Sequence, residues 1–406
     1  MGIVERVTDK IIGNHNLHTE GSLCSRFRTL KSGCSLCADV CPAGAISLSG
    51  KGPEITGGAC IGCGVCLSVC PNGVFTMKEG GDEEIIDEMV KAAERYGMEE
   101  AKEFLISCQR GECNADLLVP CLGRLTEALL IEPVRQGFSK MTVFRPECAE
   151  CPNSKASSHF DRTITRVLVL FEMLGIARES LAVRRMPLQP LAKRPEEPVS
   201  RRELFSALRT KAAEMAVAAL PEAGGKGNAE EQTFLEAISK KPGNLKRTLL
   251  LRSLGMFTPV KEVFIPSEEA ILAEISVSSQ CTACGVCATL CPTGALTQAW
   301  NDKRFLLSFR PSLCTNCGIC AETCMPEAVT AGKTARLNGL MEDKEVNVFE
   351  AVKKTCPVCG MDFIPPSEGR QVMEAAAALP DACPLCLDRH KKHMALLKNG
   401  FLKWGG

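Results

Sequence analysis

Histidine and tyrosine are scarce in this chain, five and one among 406 residues, with only two tryptophans. So few side chains of this kind leave little material for acid–base catalysis. An excess of charge of either sign is missing too: 48 Lys plus Arg stand against 48 Asp plus Glu. That balance argues against a nucleic-acid or anionic-membrane surface, both of which usually show a basic excess. No uninterrupted apolar run approaches the roughly 18 residues that a membrane helix needs; the nearest, residues 167–176, is far shorter. The start, Met1-Gly-Ile-Val-Glu-Arg, has no apolar signal core, twin-arginine pair or small-residue cleavage site, so a cytoplasmic protein without membrane insertion is expected. Neither G-x-G-x-x-G opening a helix after a strand nor G-x-x-x-x-G-K-S/T occurs, so no dinucleotide or phosphate site is indicated.

What the chain has in excess is cysteine, 25 residues. The odd count and the length argue against a secreted disulfide scaffold, which leaves metal binding in a reducing compartment. The cysteines fall into a dense cluster from Cys24 to Cys70, a looser set from Cys108 to Cys151, a second dense cluster from Cys281 to Cys324, and the pairs Cys356/Cys359 and Cys383/Cys386. The two dense clusters read as one repeated module.

The later copy is the cleaner. It runs Cys281-Thr-Ala-Cys284-Gly-Val-Cys287-Ala-Thr-Leu-Cys291-Pro292, then Cys314-Thr-Asn-Cys317-Gly-Ile-Cys320-Ala-Glu-Thr-Cys324-Met-Pro326. This doubled C-x2-C-x2-C-x3-C-P pattern resembles the bacterial two-[4Fe–4S] ferredoxins over about residues 270–332. In that pattern a tight loop aims three thiolates at one cube and the fourth cysteine serves the other cube. The resemblance therefore implies one cluster on Cys281, Cys284, Cys287 and Cys324 and another on Cys314, Cys317, Cys320 and Cys291. Gly285 and Gly318 would let amide N–H groups approach the sulfides. Met325 before Pro326 departs from the pattern.

The first copy resembles the same family but lacks one ligand. Cys60, Cys63, Cys66 and Cys70-Pro71 are complete, whereas Cys34, Cys37 and Cys41-Pro42 are preceded at position 31 by a lysine. One cluster would use Cys60, Cys63, Cys66 and Cys41. The other has Cys34, Cys37 and Cys70 and needs a fourth donor. Cys24, ten residues before Cys34, is the favoured candidate; a three-iron cluster, or an oxygen or nitrogen donor such as His15 or His18, is the alternative.

Residues 82–96 have the pattern of an amphipathic helix, with Ile85, Met89 and Ala92 on one face. Beyond it strands and helices alternate: strands at Phe104–Cys108, Leu117–Cys121 and Met141–Phe144, helices at Leu125–Gly137 and Ser154–Leu174. That order implies a small parallel sheet with cysteines at the carboxyl ends of its strands. The set Cys108, Cys113, Cys121-Leu-Gly-Arg, Cys148 and Cys151 is similar to the small iron–sulfur subunit of hydrogenase and heterodisulfide-reductase complexes, over about residues 104–156. That resemblance implies a further centre, [2Fe–2S] or [4Fe–4S], with one cysteine to spare; a reduced thiol cluster or a zinc site is the competing reading.

Residues 187–230 read as connective. A Ser200/Glu203 capping box opens a helix to about Ala219, residues 221–228 form a break, and helices near 231–254 lead into the second module. At the end, Cys356-Pro-Val-Cys359 and Cys383-Pro-Leu-Cys386 make a tetrahedral four-thiolate site, zinc-ribbon-like or rubredoxin-like. A spacer with Phe363 as its only aromatic, and a helix expected over Glu368–Leu379, favours zinc over iron. His390 and His393 read as exposed residues of a Lys-rich helix.

The expected fold is α+β and multidomain: ferredoxin modules at 1–80 and 261–345, a small α/β domain at 81–180, a helical linker at 181–260 and a metal ribbon at 346–406. As a whole the chain resembles polyferredoxin-type iron–sulfur proteins. The resemblance implies a non-catalytic electron-transfer subunit relaying electrons between a catalytic oxidoreductase subunit and a second electron carrier in an anaerobic complex. An iron–sulfur assembly, sensing or regulatory protein bearing a zinc ribbon is the alternative.

Overall fold

The computed structural model describes residues 16–97, 103–111, 114–189, 234–301, 303–365 and 382–401. At its N-terminal end Leu17–Thr19 pairs antiparallel with Phe75–Met77, and Ile46–Ser49 forms a hairpin with Gly52–Ile55. The second dense cluster repeats that plan. There Ile275–Val277 pairs with Val329–Ala331, and Leu296–Trp300 forms a hairpin with Arg304–Phe309. In each unit the short helices that follow the ligand loops pack on one another, Leu36–Asp39 on Val65–Val69 and Val286–Leu290 on Ile319–Glu322. The repeat in cysteine spacing is thus also a repeat of topology. The second unit carries an added strand, Val346–Val352, on the open edge of its hairpin.

Between them lies a four-stranded parallel sheet in the order Leu117–Val119, Glu103–Cys108, Lys140–Pro146, Leu181–Met186. Helices Asp82–Tyr96, Glu127–Arg135 and Ser157–Leu174 cover it. The first of these buries Ile85, Ile86, Met89 and Ala92, and its opening acids Asp82, Glu83 and Glu84 suit the positive end of a helix.

The sheet corrects the expected boundary at residue 180. Leu181–Met186 is its edge strand, not linker. Its sequence carries no strand pattern because an edge strand need not alternate, and Val183, Arg184 and Arg185 are exposed.

The linker is shorter than expected at its other end as well. Leu245–Leu254 is a helix whose Leu249, Leu250 and Leu254 are buried against Glu127–Arg135. Through it the central sheet shares one hydrophobic core with Val263, Ile265, Leu272 and Leu337 of the second unit. The carboxyl end adds a two-residue-per-strand hairpin, Lys354–Thr355 with Asp362–Phe363, and the helix Pro384–Phe401. The expected helices at 200–219 and 368–379, the break at 221–228, His15 and Cys113 lie outside the described residues.

Candidate metal centres

The second ferredoxin-like unit shows how the ligand loops are built. After Cys281 and Cys314, the backbone turns through a left-handed residue before the next cysteine: Ala283 at φ 52° and Asn316 at φ 55°. A side chain rarely adopts this conformation, and asparagine tolerates it best because it can bond locally. Asn316 is instead held from a distance in sequence, donating from Nδ2 to the carbonyls of Ser267 (2.7 Å) and Ala270 (3.1 Å). The turn aims amides at sulfur: Ala283 N lies 3.4 Å from Cys281 Sγ, and Asn316 N lies 3.5 Å from Cys314 Sγ. Cys324 receives the Ala328 amide at 3.2 Å, as Cys41 receives that of Ala45 at 3.3 Å in the other unit. Such bonds stabilise a thiolate.

Cys291, Cys314, Cys317 and Cys320 line one cavity, the quartet the spacing assigns to one cluster. Cys41, Cys60, Cys63 and Cys66 line another. Cys281, Cys284 and Cys324 all act electrostatically on Cys287, which brings the fourth-ligand exchange together there too.

Cys24 lies beside the incomplete half. It lines a single cavity with Cys34, Cys37 and Cys70. Its local geometry also matches that of a first ligand. Cys24 follows a 3-10 turn, Gly21–Leu23, at φ −70° and ψ 132°; Cys314 follows Pro311–Leu313 at φ −69° and ψ 132°. His18, on the strand Leu17–Thr19, is exposed and does not line this cavity. Lys31, which stands where the missing cysteine would be, lies with Nζ 3.5 Å from Sδ of Met325, so the two departures from the motif meet at one contact.

In the central unit Cys108 feels the charges of Cys148 and Cys151, and Cys121 those of Cys63, Cys108 and Cys148. Four of the five expected cysteines therefore converge at the carboxyl ends of the strands. Arg124 of the same turn is buried and pairs with Asp82, at the start of the helix that follows the first unit. Gly64, in the Cys63–Cys66 loop, fits beneath it only because it has no side chain; a Cβ there would overlap Arg124 Cδ.

Burial raises the thiols of Cys37, Cys121 and Cys317 to about 12 and that of Cys287 to about 11, and neighbouring thiolates add to it. Dry, crowded cysteines resist ionisation unless a cation compensates, which is the chemistry of a donor set made for iron.

The carboxyl-terminal quartet differs in scale. Among the described residues, Cys356, Cys359, Cys383 and Cys386 form the group whose four sulfurs all lie within 4.8 Å of one another. Cys359 and Cys383 are 3.7 Å apart. Four thiolates about 2.3 Å from one tetrahedral ion would be about 3.8 Å apart, so this site fits a single ion and not a cube. Although burial opposes it, amides of Cys383, Cys359 and Val358 pull Cys356 down to about 6. His390 and His393 are not in the group.

Residues with no cysteine signal join the units. Arg28, only 2 % exposed, donates to Ser22 O at 2.5 Å, Ile238 O at 3.1 Å and Lys240 O at 3.3 Å, and reaches Cys291 O at 3.4 Å. Thr315, next to Cys314, donates to Asn72 Oδ1 at 2.6 Å, two residues after Cys70. Asn72 and Thr315 read as ordinary loop residues until the units are docked.

Residues 32–89 and 280–328 each match a family described as a 4Fe-4S dicluster domain. The first match begins downstream of Cys24. No curated protein and no solved structure gives a significant match. With both matched segments carrying converging cysteines, the chain is an iron–sulfur protein with two 4Fe-4S dicluster ferredoxin domains, which imply electron transfer.

Proposed function

We propose that this chain is a fixed electron relay, serving a catalytic oxidoreductase subunit at one end and a second carrier at the other. The observation that carries this reading is the junction of the two ferredoxin units. The cavity bounded by Cys24, Cys34, Cys37 and Cys70 is also lined by Asn316 and Cys317 of the second unit, and the Asn72–Thr315 hydrogen bond ties the two ligand loops together. A free shuttle needs one ferredoxin unit and an exposed docking face; here a ligand loop of one unit packs against a ligand loop of the other.

The same adjacency orders the ligand sets. The Cys108/Cys121/Cys148/Cys151 group abuts the Cys63 loop, where Val65 closes on Gly123. Cys66 faces Cys37, Cys317 lines the cavity of Cys24, and Cys320 faces Cys287. The series runs from the half-buried Cys148–Cys151 turn to the exposed Cys284. When bound, each iron–sulfur group would supply one-electron storage; the chain's own residues fix the spacing and keep water out. The central set would hold a [2Fe–2S] or [4Fe–4S] group, and the carboxyl-terminal quartet a structural zinc.

Anaerobic size-exclusion chromatography of native extract, with identification of co-eluting proteins, tests this. Co-elution with an oxidoreductase is expected. Recovery only as a free monomer near 44 kDa would overturn it in favour of a shuttle or an assembly protein.

A further inference from the structure

A cavity among the described residues is lined without cysteine and is not used by the relay. It has a volume of about 180 Å³ and lies where both ferredoxin units, the central helices and the helix Leu245–Leu254 meet. Its polar walls are Glu127, His159, Arg166, Lys246 and Arg247, with Arg162 and Glu268 at the exposed rim.

The charges do not cancel. Glu127 is taken by Arg166, at 3.2 Å, and by Lys246, at 3.9 Å. His159 is buried against Ser68 Oγ at 2.8 Å, and burial keeps it neutral. Glu268 can offset one of the two remaining arginines only from the solvent-exposed rim. Four cations against two carboxylates leave an excess of two positive charges around a partly enclosed space.

Arg247 is the decisive residue. It is 7 % exposed, its Nη2 donates to the carbonyls of Ile271 and Cys314, and its Nη1 has no hydrogen-bond partner. A buried guanidinium with an idle donor costs stability unless a ligand accepts from it. Guanidinium also matches oxyanions better than other anions, because its planar fork presents parallel N–H groups.

We propose that this cavity binds a small oxyanion, phosphate-like or a short dicarboxylate, held by Arg247 with Arg166, Lys246 and Arg162. The site would lie between Pro71 and Thr315–Asn316, beside two of the cysteine loops. A bound negative charge there opposes the addition of an electron to either neighbour, and by linkage the anion binds more weakly once they are reduced.

Calorimetry on the full-length, cluster-loaded protein under anaerobic conditions tests the site, with inorganic phosphate in one arm and malonate in the other, at ionic strength held by chloride. Saturable binding of either anion supports the proposal, and the arm that binds names the class. Arg247→Gln should weaken it roughly tenfold or more, as expected for loss of a charged hydrogen bond. Arg162→Gln, at the exposed rim, should weaken it while leaving the thermal unfolding temperature unchanged, which covers the case where Arg247→Gln does not fold. No saturable binding in either arm, or binding undiminished in Arg162→Gln and in any folded Arg247→Gln, would overturn the proposal. So would an EPR spectrum altered by Arg247→Gln yet insensitive to both anions, since the arginine would then serve the cluster beside Cys314.

Discussion

Replacing Arg28 with methionine removes the cation that locks the two ferredoxin units while keeping an apolar stem in place. Three direct hydrogen bonds disappear, to Ser22, Ile238 and Lys240, and the carbonyls of Thr289, Leu290 and Cys291 lose a shared donor at 3.4–3.5 Å. Hydrogen bonds to a charged group contribute about 1.5–3 kcal/mol each, and an abandoned buried acceptor costs a comparable amount. Lys241 Nζ, 2.6 Å from Thr289 O and 2.8 Å from Cys291 O, keeps part of the site satisfied. A net loss of about 3–5 kcal/mol is expected, enough to lower the unfolding temperature by at least about 5 °C.

The same substitution should act on the electrons. Arg28 lies in the field of Cys291 and Cys317. A positive charge on the order of 10 Å from a redox centre, at an effective dielectric of about 20, stabilises an added electron by roughly 1.7 kcal/mol, or about 70 mV. Its removal should lower one cluster's midpoint by that order. Arg28→Lys separates the two effects: the charge and the potential stay, while the fork and much of the stability go. Anaerobic melting followed by visible absorbance, together with an EPR-monitored redox titration, measures both. Melting and potentials in Arg28→Met that match the parent protein would refute the reasoning.

Cys24→Ala should convert one cluster to a three-iron form or abolish it, leaving the other cubane signals in place; an EPR spectrum identical to the parent would remove Cys24 from the ligand set. Cys356→Ser should release one metal ion without changing the sulfide content, read by metal and acid-labile sulfide analysis. The pH dependence follows His159, whose burial lowers it from 6.5 to about 3 in the folded chain. The unfolded state binds the extra proton below 6.5, so stability is complete above that pH and is lost as pH falls toward 3. The loss is about 1.4 kcal/mol by pH 5.5, and His159→Gln should flatten the unfolding temperature between pH 7.5 and 5.5; an unchanged slope would count against a neutral, buried ring.

Cysteine spacing made the ferredoxin quartets legible, because a tight loop around a cube constrains sequence separation directly. The parallel sheet was legible in its three apolar strands and not in Leu181–Met186, whose exposed arginines carry no burial pattern. Cys24 could be nominated and not assigned, since its ten-residue separation from Cys34 is set by a detour and not by a ligand loop. The helix Leu245–Leu254 showed leucines at helical spacing but nothing to say what they would pack against. Arg28, Asn72 and Thr315 were invisible. Each acts across a distance of more than 200 residues, on backbone carbonyls or a single amide, and such contacts leave no periodicity in sequence.

That detour has a consequence for how the protein is put together. The segment between Cys24 and Cys34 is seven residues longer than an ordinary two-residue ligand loop, and the excess holds Arg28, whose long-range partners lie in the second unit and the segment leading to it. With Cys24 as a ligand, maturation of the first unit's irregular centre and closure of the second unit onto it would be thermodynamically coupled. Iron supplied at Cys24 would favour docking, and docking would favour retention of iron. A chain whose second half had not yet folded would hold three of that centre's thiols in place and Cys24 loosely, so the order of synthesis would delay insertion of that one cofactor until the second unit has closed on it.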